Sequence, residues 1–199
     1  MSNPRVRLVI DELARHRAQF AFLCGALSDE DLAAAVPDTP WTVRDYIAHL
    51  CTIDGLIAPA FQRTVGLGSA PPPEPRPGQP FDIDDWNEAA VTAQRGAALP
   101  DLLAQAARHR SEMVAAIERM SDADLDRVIP YGGDRRTLGL GPTPVRFGGL
   151  LWGIALHDPT HTRDILRALP HRKEEAWIQE WLASVNDSMI PQGVREQRV

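Results

Sequence analysis

"ARHRAQFAFLCGALSDEDLAAAVP", residues 14–37, aligns without a gap on "ARHRSEMVAAIERMSDADLDRVIP", residues 107–130, at an offset of 93 positions. Nine of the 24 aligned pairs are identical, which indicates an internal duplication. A second helical segment follows each copy, one from Thr42 and the other from Thr143. One helical hairpin cannot bury its own apolar face, whereas two hairpins can cover each other. The sequence therefore predicts an all-α four-helix bundle built from two duplicated hairpins.

Apolar residues recur every three or four positions in four long segments, as they do along one face of a helix. Thr42 and Asp45 form a capping box, which predicts where the second helix begins. The fourth helix is expected to begin near Pro144. Alternating β-branched runs are nearly absent, so no sheet is predicted. The four apolar stripes span residues 9–27, 43–57, 102–120 and 147–168.

The connections between these segments are rich in proline and glycine. "GLGSAPPPEPRPGQP", residues 66–80, predicts a long crossover loop, because its proline density forbids helix. A short helix should follow, capped by Asp82 or Asp84. "YGGDRRTLGLGPTP", residues 131–144, is interpreted as the corresponding loop of the second half. A fifth amphipathic helix is expected at about 172–188, docked on the bundle or on a second subunit, and residues 1–199 are interpreted as one domain.

Composition excludes several classes of function. The 199 residues carry a formal net charge of -6, so the chain lacks the basic surface that nucleic acid or anionic lipid requires. No window approaches the roughly 20 apolar residues of a membrane-spanning helix, and the first residues do not form a signal peptide, so a cytoplasmic protein is expected. Cys24 and Cys51 fall in apolar runs, where a buried reduced thiol is the ordinary state.

Histidines interrupt the apolar stripes at five positions. His157 and His161, in "LHDPTHTRDILRAL" (residues 156–169), are four positions apart, so they share one helix face and could approach a single metal ion. Alternatively they are polar residues on a helix that Pro159 breaks. We predict one kinked helix with both imidazoles converging; the competing interpretation is a fresh helix start at Asp158-Pro159. His16 and His109 are interpreted as hydrogen-bonded core residues or as cap contacts at helix ends.

Three short motifs resemble the DinB/YfiT-like superfamily: "LSDEDL" at residues 27–32, "PWTVRDYIAHL" at 40–50 and "HDPTHTRDI" at 157–165. The resemblance implies a four-helix bundle, often dimeric, that binds one divalent metal ion through three histidines. Carried over by motif, these are His49, His157 and His161. Three protein ligands leave coordination positions open, as in catalytic rather than structural sites. Imidazole ligands suit several divalent ions, of which zinc and nickel are favoured here.

Residues around that site receive weaker assignments. Asp45, Asp158 and Asp164 are candidates to accept the second N–H of a ligand histidine, although Asp45 already caps a helix. Arg135 and Arg136 are candidates to bind carboxylates of a cofactor or substrate; the alternative is that they are solvated loop charges. Tyr46 and Trp152 are candidates for the pocket wall, although aromatic residues at helical spacing more often belong to the core.

The superfamily includes thiol-dependent S-transferases and mycothiol-dependent maleylpyruvate isomerases. The resemblance therefore implies an enzyme in which a metal-bound thiol, such as mycothiol or bacillithiol, attacks a small electrophile. Asp158 stands where zinc proteases carry a glutamate base, which makes peptidase activity improbable. Two alternatives remain, a hydrolase that uses metal-bound water and a non-catalytic module that binds metal or a small ligand. In all three readings the partner is a small molecule, and a homodimer is compatible with each.

Overall fold

The bundle has four long helical segments, as the duplicated sequence predicts. The computed structural model describes residues 3–64, 66, 82–131 and 143–185. In the first hairpin, α1 (Pro4–Ala26) is followed by the short α2 (Asp29–Ala33) and by α3 (Val43–Thr64). In the second, α5 (Leu99–Ile117) is followed by α6 (Asp122–Asp126), α7 (Phe147–Ala155) and α8 (His157–Ala168). The remaining helices are α4 (Ile83–Gln94), α9 (Pro170–Lys173) and α10 (Ala176–Ala183).

Helix starts lie where the capping signals place them. Thr42 and Asp45 exchange the two hydrogen bonds of a capping box at the start of α3. Asp82 caps α4 by accepting from the amides of Asp84 and Asp85. The identical "SD" positions of the repeat begin α2 and α6, each with a complete capping box. Side-chain contacts within three residues of each start therefore determine where these helices begin.

A small antiparallel sheet corrects the all-helical expectation in the second half. Strands β1 (Val128–Tyr131) and β2 (Thr143–Arg146) pair in register, so the fourth segment becomes helical at Phe147 rather than near Pro144. The first half keeps one equivalent bridge, between Ala35 and Thr42. Residues 132–142, the middle of the predicted loop, lie outside the described residues, as does the crossover stretch apart from Gly66.

Matching hydrogen bonds align the second helices of the two hairpins. The amide of Val43 donates to the carbonyl of Ala34, and that of Phe147 donates to Arg127, each at 2.9 Å. Ala34 and Arg127 are 93 positions apart, whereas Val43 and Phe147 are 104 apart. The second helices are therefore related by an offset of 104, because the connection in the second half is longer.

The fourth segment is divided rather than kinked. α7 ends at Ala155 and α8 begins at His157, with Leu156 (φ -91°, ψ 2°) between them. Pro159 then lies in the first turn of α8, where its missing N–H costs nothing, because those amides have no partner within a helix. The single kinked helix predicted from sequence is wrong in that detail. The predicted convergence holds, since His157 and His161 belong to the same new helix.

Four largely buried charges lie between the two larger apolar clusters of the core. Arg17 and Arg110 both form ion pairs with Asp54 and with Asp158, at N–O distances from 2.6 to 3.5 Å. On α1, Arg17 lies between Leu13 and Phe20, and these two residues belong to different clusters. We call these four residues the charge quartet: Arg17, Asp54, Arg110 and Asp158.

The charge quartet follows the internal repeat. Its two arginines are 93 positions apart and its two aspartates 104 apart, so each hairpin contributes one residue of each type at equivalent positions. Both guanidinium groups also donate to backbone carbonyls, Arg17 to that of Leu50 and Arg110 to that of Leu13, although Nε of Arg17 is buried without a partner in the described structure. Charges this deeply buried are tolerated because each faces opposite charge and hydrogen-bond acceptors.

The C-terminal segment docks on the bundle as two short helices instead of the one predicted at about 172–188. Ile178 packs against Leu23 and Leu166, and the indole N–H of Trp181 donates to Nδ1 of His16 at 2.9 Å. Positions 186–188 lie outside the described residues. His16 is thus the hydrogen-bonded core residue that the sequence predicted.

Both cysteines are buried and free. Burial raises the pKa of the Cys51 thiol to about 12 and holds that of Cys24 well above its usual value. Thiols this hard to ionise are poor nucleophiles and poor metal ligands, which fits the structural role predicted for them. In the described part of the chain, none of the helices is long and apolar enough to cross a membrane.

Candidate functional site

Three histidines that are distant in sequence converge between α3 and α8. The ring centroids of His157 and His161 are 4.5 Å apart, and His49 lies 5.1 and 5.0 Å from them. One nitrogen of each ring lies within 4.8 Å of the others. We call these three residues the histidine cluster. Among the described residues, this is the group of at least three His, Cys, Asp or Glu side chains whose ligand atoms all lie that close together.

Local structure explains why the three rings meet. His157 and His161 are one turn apart at the start of α8, so their side chains project from one face. His49 comes from the middle of α3, which packs against α8, and only 3% of His49 is exposed. Because α8 begins at His157 itself, the helix division lets both imidazoles follow the axis of α8 rather than that of α7.

The protein holds two imidazoles of the histidine cluster, those of His49 and His157, in the form that binds metal. Burial lowers the pKa of His49 well below its usual value, and the neighbouring His161 lowers it further. For His157, which keeps a partly exposed surface, the surrounding protein is again the main cause of a strongly lowered pKa, followed by His161 and His49. Neutral imidazoles keep a lone pair, so no proton must be displaced from them before a cation binds.

Asp164 fixes the orientation of one ring in the histidine cluster. Its carboxylate lies 2.9 Å from Nδ1 of His161, which leaves Nε2 of that ring for another partner. A carboxylate in this position typically orients a metal-binding histidine and makes it more basic. The sequence proposed Asp164 for this contact on spacing alone, and the structure contains it.

Two aromatic side chains wall the histidine cluster. Trp41 lies 5.4 Å from His49, and Tyr46 lies 5.6 Å from His161, both between ring centroids. Trp41 is held by a 2.9 Å hydrogen bond from its indole N–H to Glu88 of α4. Trp152, the other wall candidate, packs instead against the apolar cluster on the far side of the charge quartet.

The remaining candidates have other partners. Asp45 is occupied by its helix cap and by an ion pair with Arg95, and Asp158 belongs to the charge quartet; within the described structure neither contacts a ring nitrogen of the histidine cluster. Asp158 follows His157 in sequence, but consecutive side chains project about 100° apart around a helix, and that of Asp158 reaches Arg17 and Arg110 instead. Arg135 and Arg136 lie outside the described residues.

His109 is also separate from the histidine cluster. Its ring lies against the backbone of α3 at Gly55, where an added Cβ would come within 2.7 Å of the imidazole. Its Nδ1 is buried without a hydrogen-bond partner in the described structure, so the hydrogen bond predicted for His109 is not found at that atom. The ring packs against α3, as expected for a core residue.

The histidine cluster fits a divalent metal ion. Bonds of about 2.0–2.1 Å to nitrogen allow two ligand atoms to be at most about 4.2 Å apart. Nitrogens already within 4.8 Å of one another would need only small ring rotations to reach that separation. A three-nitrogen donor set leaves room for a water, thiol or substrate atom, and it suits zinc, nickel, iron or copper.

Comparison with known families agrees with this geometry. The family model described as the DinB superfamily matches residues 12–165, which include both hairpins and all three members of the histidine cluster.

The chain belongs to the DinB superfamily.

Solved structures support the same fold, while no curated protein matches the sequence. One similar structure is YfiT from Bacillus subtilis, described as a probable metal-dependent hydrolase with an unusual four-helix bundle topology. The two chains share 17% sequence identity with a TM-score of 0.58, and the similarity covers 85% of this chain and 87% of YfiT. At that identity the likeness establishes the four-helix bundle topology.

Sequence reasoning missed three features around the histidine cluster. Trp41 lies inside the motif at residues 40–50, but no role was predicted for it. Asn87 of α4 lies beside His49 and favours its protonated form, although α4 was predicted only as a short connecting helix. The charge quartet was also missed, although Arg17 and Arg110 are among the identical pairs of the repeat and could have pointed to it.

Proposed function

We propose that this chain is a metal-dependent enzyme in which the histidine cluster holds one divalent ion, zinc or nickel, and a low-molecular-weight thiol attacks a small electrophile. The observation that carries the proposal is the convergence of three imidazoles, two of them kept neutral by burial, on a single point. When bound, the ion would supply a Lewis acid able to stabilise a thiolate or to lower the pKa of water.

The protein's own residues perform the positioning in this proposal. His157 and His161 share the first turns of α8, and Asp164 fixes the ring orientation of His161. Trp41 and Tyr46 shield one side of the cluster from water. A less hydrated site strengthens every electrostatic interaction within it, including those with a charged nucleophile.

One contact favours a thiol over water as the nucleophile. Hydrolytic metal sites use a carboxylate base near the ligands, and the residue at the matching sequence position here is Asp158. Arg17 and Arg110 both pair with that carboxylate, and only 1% of its side chain is exposed. A thiol ionises much more readily than water, so it needs no such base.

Hydrolysis is the second candidate. It is favoured by the similarity to YfiT, which is described as a probable metal-dependent hydrolase. A three-ligand centre is compatible with either nucleophile, so the two candidates differ in what occupies the open position rather than in the protein ligands.

Elemental analysis tests the centre, and turnover assays test the reaction. Wild type purified without added metal should contain about one divalent ion per chain, His157→Ala should lose it, and His171→Ala, whose side chain is exposed at the surface, should retain it. Conversion of a haloalkyl bimane in the presence of mycothiol, bacillithiol or glutathione would support the transferase. Hydrolysis of a nitrophenyl ester without thiol would favour the second candidate, and metal bound with neither activity would indicate a binding module.

A further inference from the structure

Helix α4 forms one wall of the histidine cluster through a row of contacts to α3 and its preceding residues. Glu88 accepts from the indole N–H of Trp41, and Arg95 forms a 3.1 Å ion pair with Asp45. Val91, between them, is fully buried. These contacts hold α4 from Glu88, the residue after Asn87, to Arg95 at its C-terminal end, so the position of Asn87 beside His49 is set by the fold.

Two buried polar atoms at this wall lack partners. Nδ1 of His49 and Oδ1 of Asn87 are both sealed from solvent, and neither has a hydrogen-bond partner in the described structure. The Asn87 side chain is nevertheless close enough to favour the protonated imidazole of His49. Buried polar groups are nearly always hydrogen-bonded, because a group without a partner has lost its bonds to water and gained none in the protein. A potential donor and a potential acceptor are therefore both buried at this wall, and neither has a partner in the described structure.

We infer that Asn87 is a positioning residue for the metal centre: its Oδ1 accepts the Nδ1–H of His49 and thereby presents Nε2 of that ring as the ligand atom. This inference rests on the proposed metal centre. A neutral imidazole has one N–H and one lone pair, so fixing the proton on Nδ1 fixes the lone pair on Nε2. Asp164 acts on His161 in the same way, with a carboxylate in place of an amide.

The small ring rotations that a bound ion requires would also close this contact. An imidazole that turns its Nε2 toward a shared point rotates Nδ1 at the same time. The hydrogen bond to Asn87 would then offset part of the cost of ordering the ring. Partners of this kind contribute about 10- to 100-fold to the metal affinity of a site.

The test uses the full-length protein and measures zinc affinity by competition with a chromophoric chelator. Asn87→Ala should bind zinc at least about tenfold more weakly than wild type. Asn87→Asp keeps an acceptor oxygen at the same distance from the backbone and should return the affinity to within about threefold of wild type or tighten it. The matched control is Thr92→Ala, which removes an exposed polar side chain from the same helix and should leave zinc affinity unchanged.

A second readout separates positioning from simple packing. In the zinc-loaded wild type, nitrogen-15 NMR should show His49 protonated at Nδ1, and exchange of that proton should accelerate in Asn87→Ala. The inference is overturned if Asn87→Ala binds zinc as tightly as Thr92→Ala, or if it only lowers the melting temperature of the zinc-free protein. It is equally overturned if His49 proves to be protonated at Nε2.

A failure of the proposed metal centre can be distinguished from a failure of the role proposed for Asn87. If wild type binds no stoichiometric zinc, or if His157→Ala binds it equally well, the proposed metal centre is wrong and the role of Asn87 falls with it. If wild type binds one zinc through the histidine cluster and Asn87→Ala matches it, the centre stands and only the inference about Asn87 fails.

Discussion

Arg17 and Arg110 hold equivalent positions in the two repeats and bind the same two carboxylates, those of Asp54 and Asp158. The bundle thus carries a symmetric set of four charges at the level where its two apolar clusters meet. Asp158 also follows His157 directly, so the same contacts anchor the first turn of the helix that carries two members of the histidine cluster.

Removing one arginine from the charge quartet should destabilise the protein strongly. Arg110→Met keeps the side-chain length but leaves two buried carboxylates with one cation, a situation that typically costs about 3–5 kcal/mol. Urea unfolding measures the change in free energy. The control is Arg108→Met, an exposed position two residues earlier on α5, which should stay within about 0.5 kcal/mol of wild type. Equal stability of the two variants would refute the structural role of the quartet.

Zinc should stabilise the wild-type fold. A ligand that binds only the folded state, present at a hundred times its dissociation constant, adds about 2.7 kcal/mol to the free energy of unfolding. For a domain of this size that corresponds to a rise in melting temperature of several degrees, measurable by calorimetry. A chelator should reverse the rise. His161→Ala should show no rise, and an equal rise in that variant would mean that zinc binds elsewhere.

Acid should weaken the attachment of the C-terminal helices through His16. Its pKa is lowered, first by burial and then by the charge of Arg15, against the smaller opposing effect of Glu12. Protonation therefore favours the unfolded chain: the contribution of His16 is fully present above about pH 6.5 and is lost as the pH falls from there toward the folded-state pKa. Nδ1 of His16 can accept from Trp181 only while it lacks a proton.

His16→Gln retains an acceptor for the Trp181 indole but has no charge to gain. Unfolding free energies measured between pH 8 and pH 5 should fall less steeply for this variant than for wild type. The comparison isolates His16, because the other buried histidines titrate equally in both proteins. Parallel pH profiles would show that His16 does not contribute to acid sensitivity.

Gly55 should be required because the imidazole of His109 lies against it. An alanine Cβ at position 55 would come within 2.7 Å of that ring, so Gly55→Ala should destabilise the protein by about 1–3 kcal/mol. Adding His109→Ala should recover much of the loss, since it removes the clashing group. Gly25→Ala, where nothing lies within 4 Å of the new Cβ, should be neutral or slightly stabilising. A double variant as unstable as the single one would argue against the clash.

The sequence predicted what depends on local spacing. The repeat indicated paired hairpins, capping residues placed the starts of α3 and α4, and the four-residue spacing of His157 and His161 placed both on one helix face. These features need no knowledge of distant contacts. The pairing of β1 with β2 was not predicted, since neither strand alternates polar and apolar residues and their partnership depends on a connection closing between them.

Features that join distant segments escaped prediction for a physical reason. Periodicity analysis treats a charged residue as facing solvent, so Arg17 and Asp54 were not assigned to the core, although partners from the other hairpin make their burial tolerable. Asn87 follows the proline-rich crossover at residues 66–80, and local spacing cannot predict where a helix after such a long connection will pack. Nothing in the sequence therefore placed Asn87 beside His49. Asp158 shows the converse error: adjacency to His157 in sequence suggested a contact with the ligand histidines, but the carboxylate pairs with Arg17 and Arg110 instead.

The duplication places Gly153 at the position equivalent to His49, and Ile53 and Ile57 at those equivalent to His157 and His161. The equivalence stops at position, because α3 runs unbroken through Ile53 and Ile57 whereas α8 begins at His157. Gly153 is also exposed, with nothing within 4 Å of an added Cβ, whereas His49 is buried. The break at Leu156 thus makes two duplicated segments different, and only the divided one presents paired imidazoles to its neighbour.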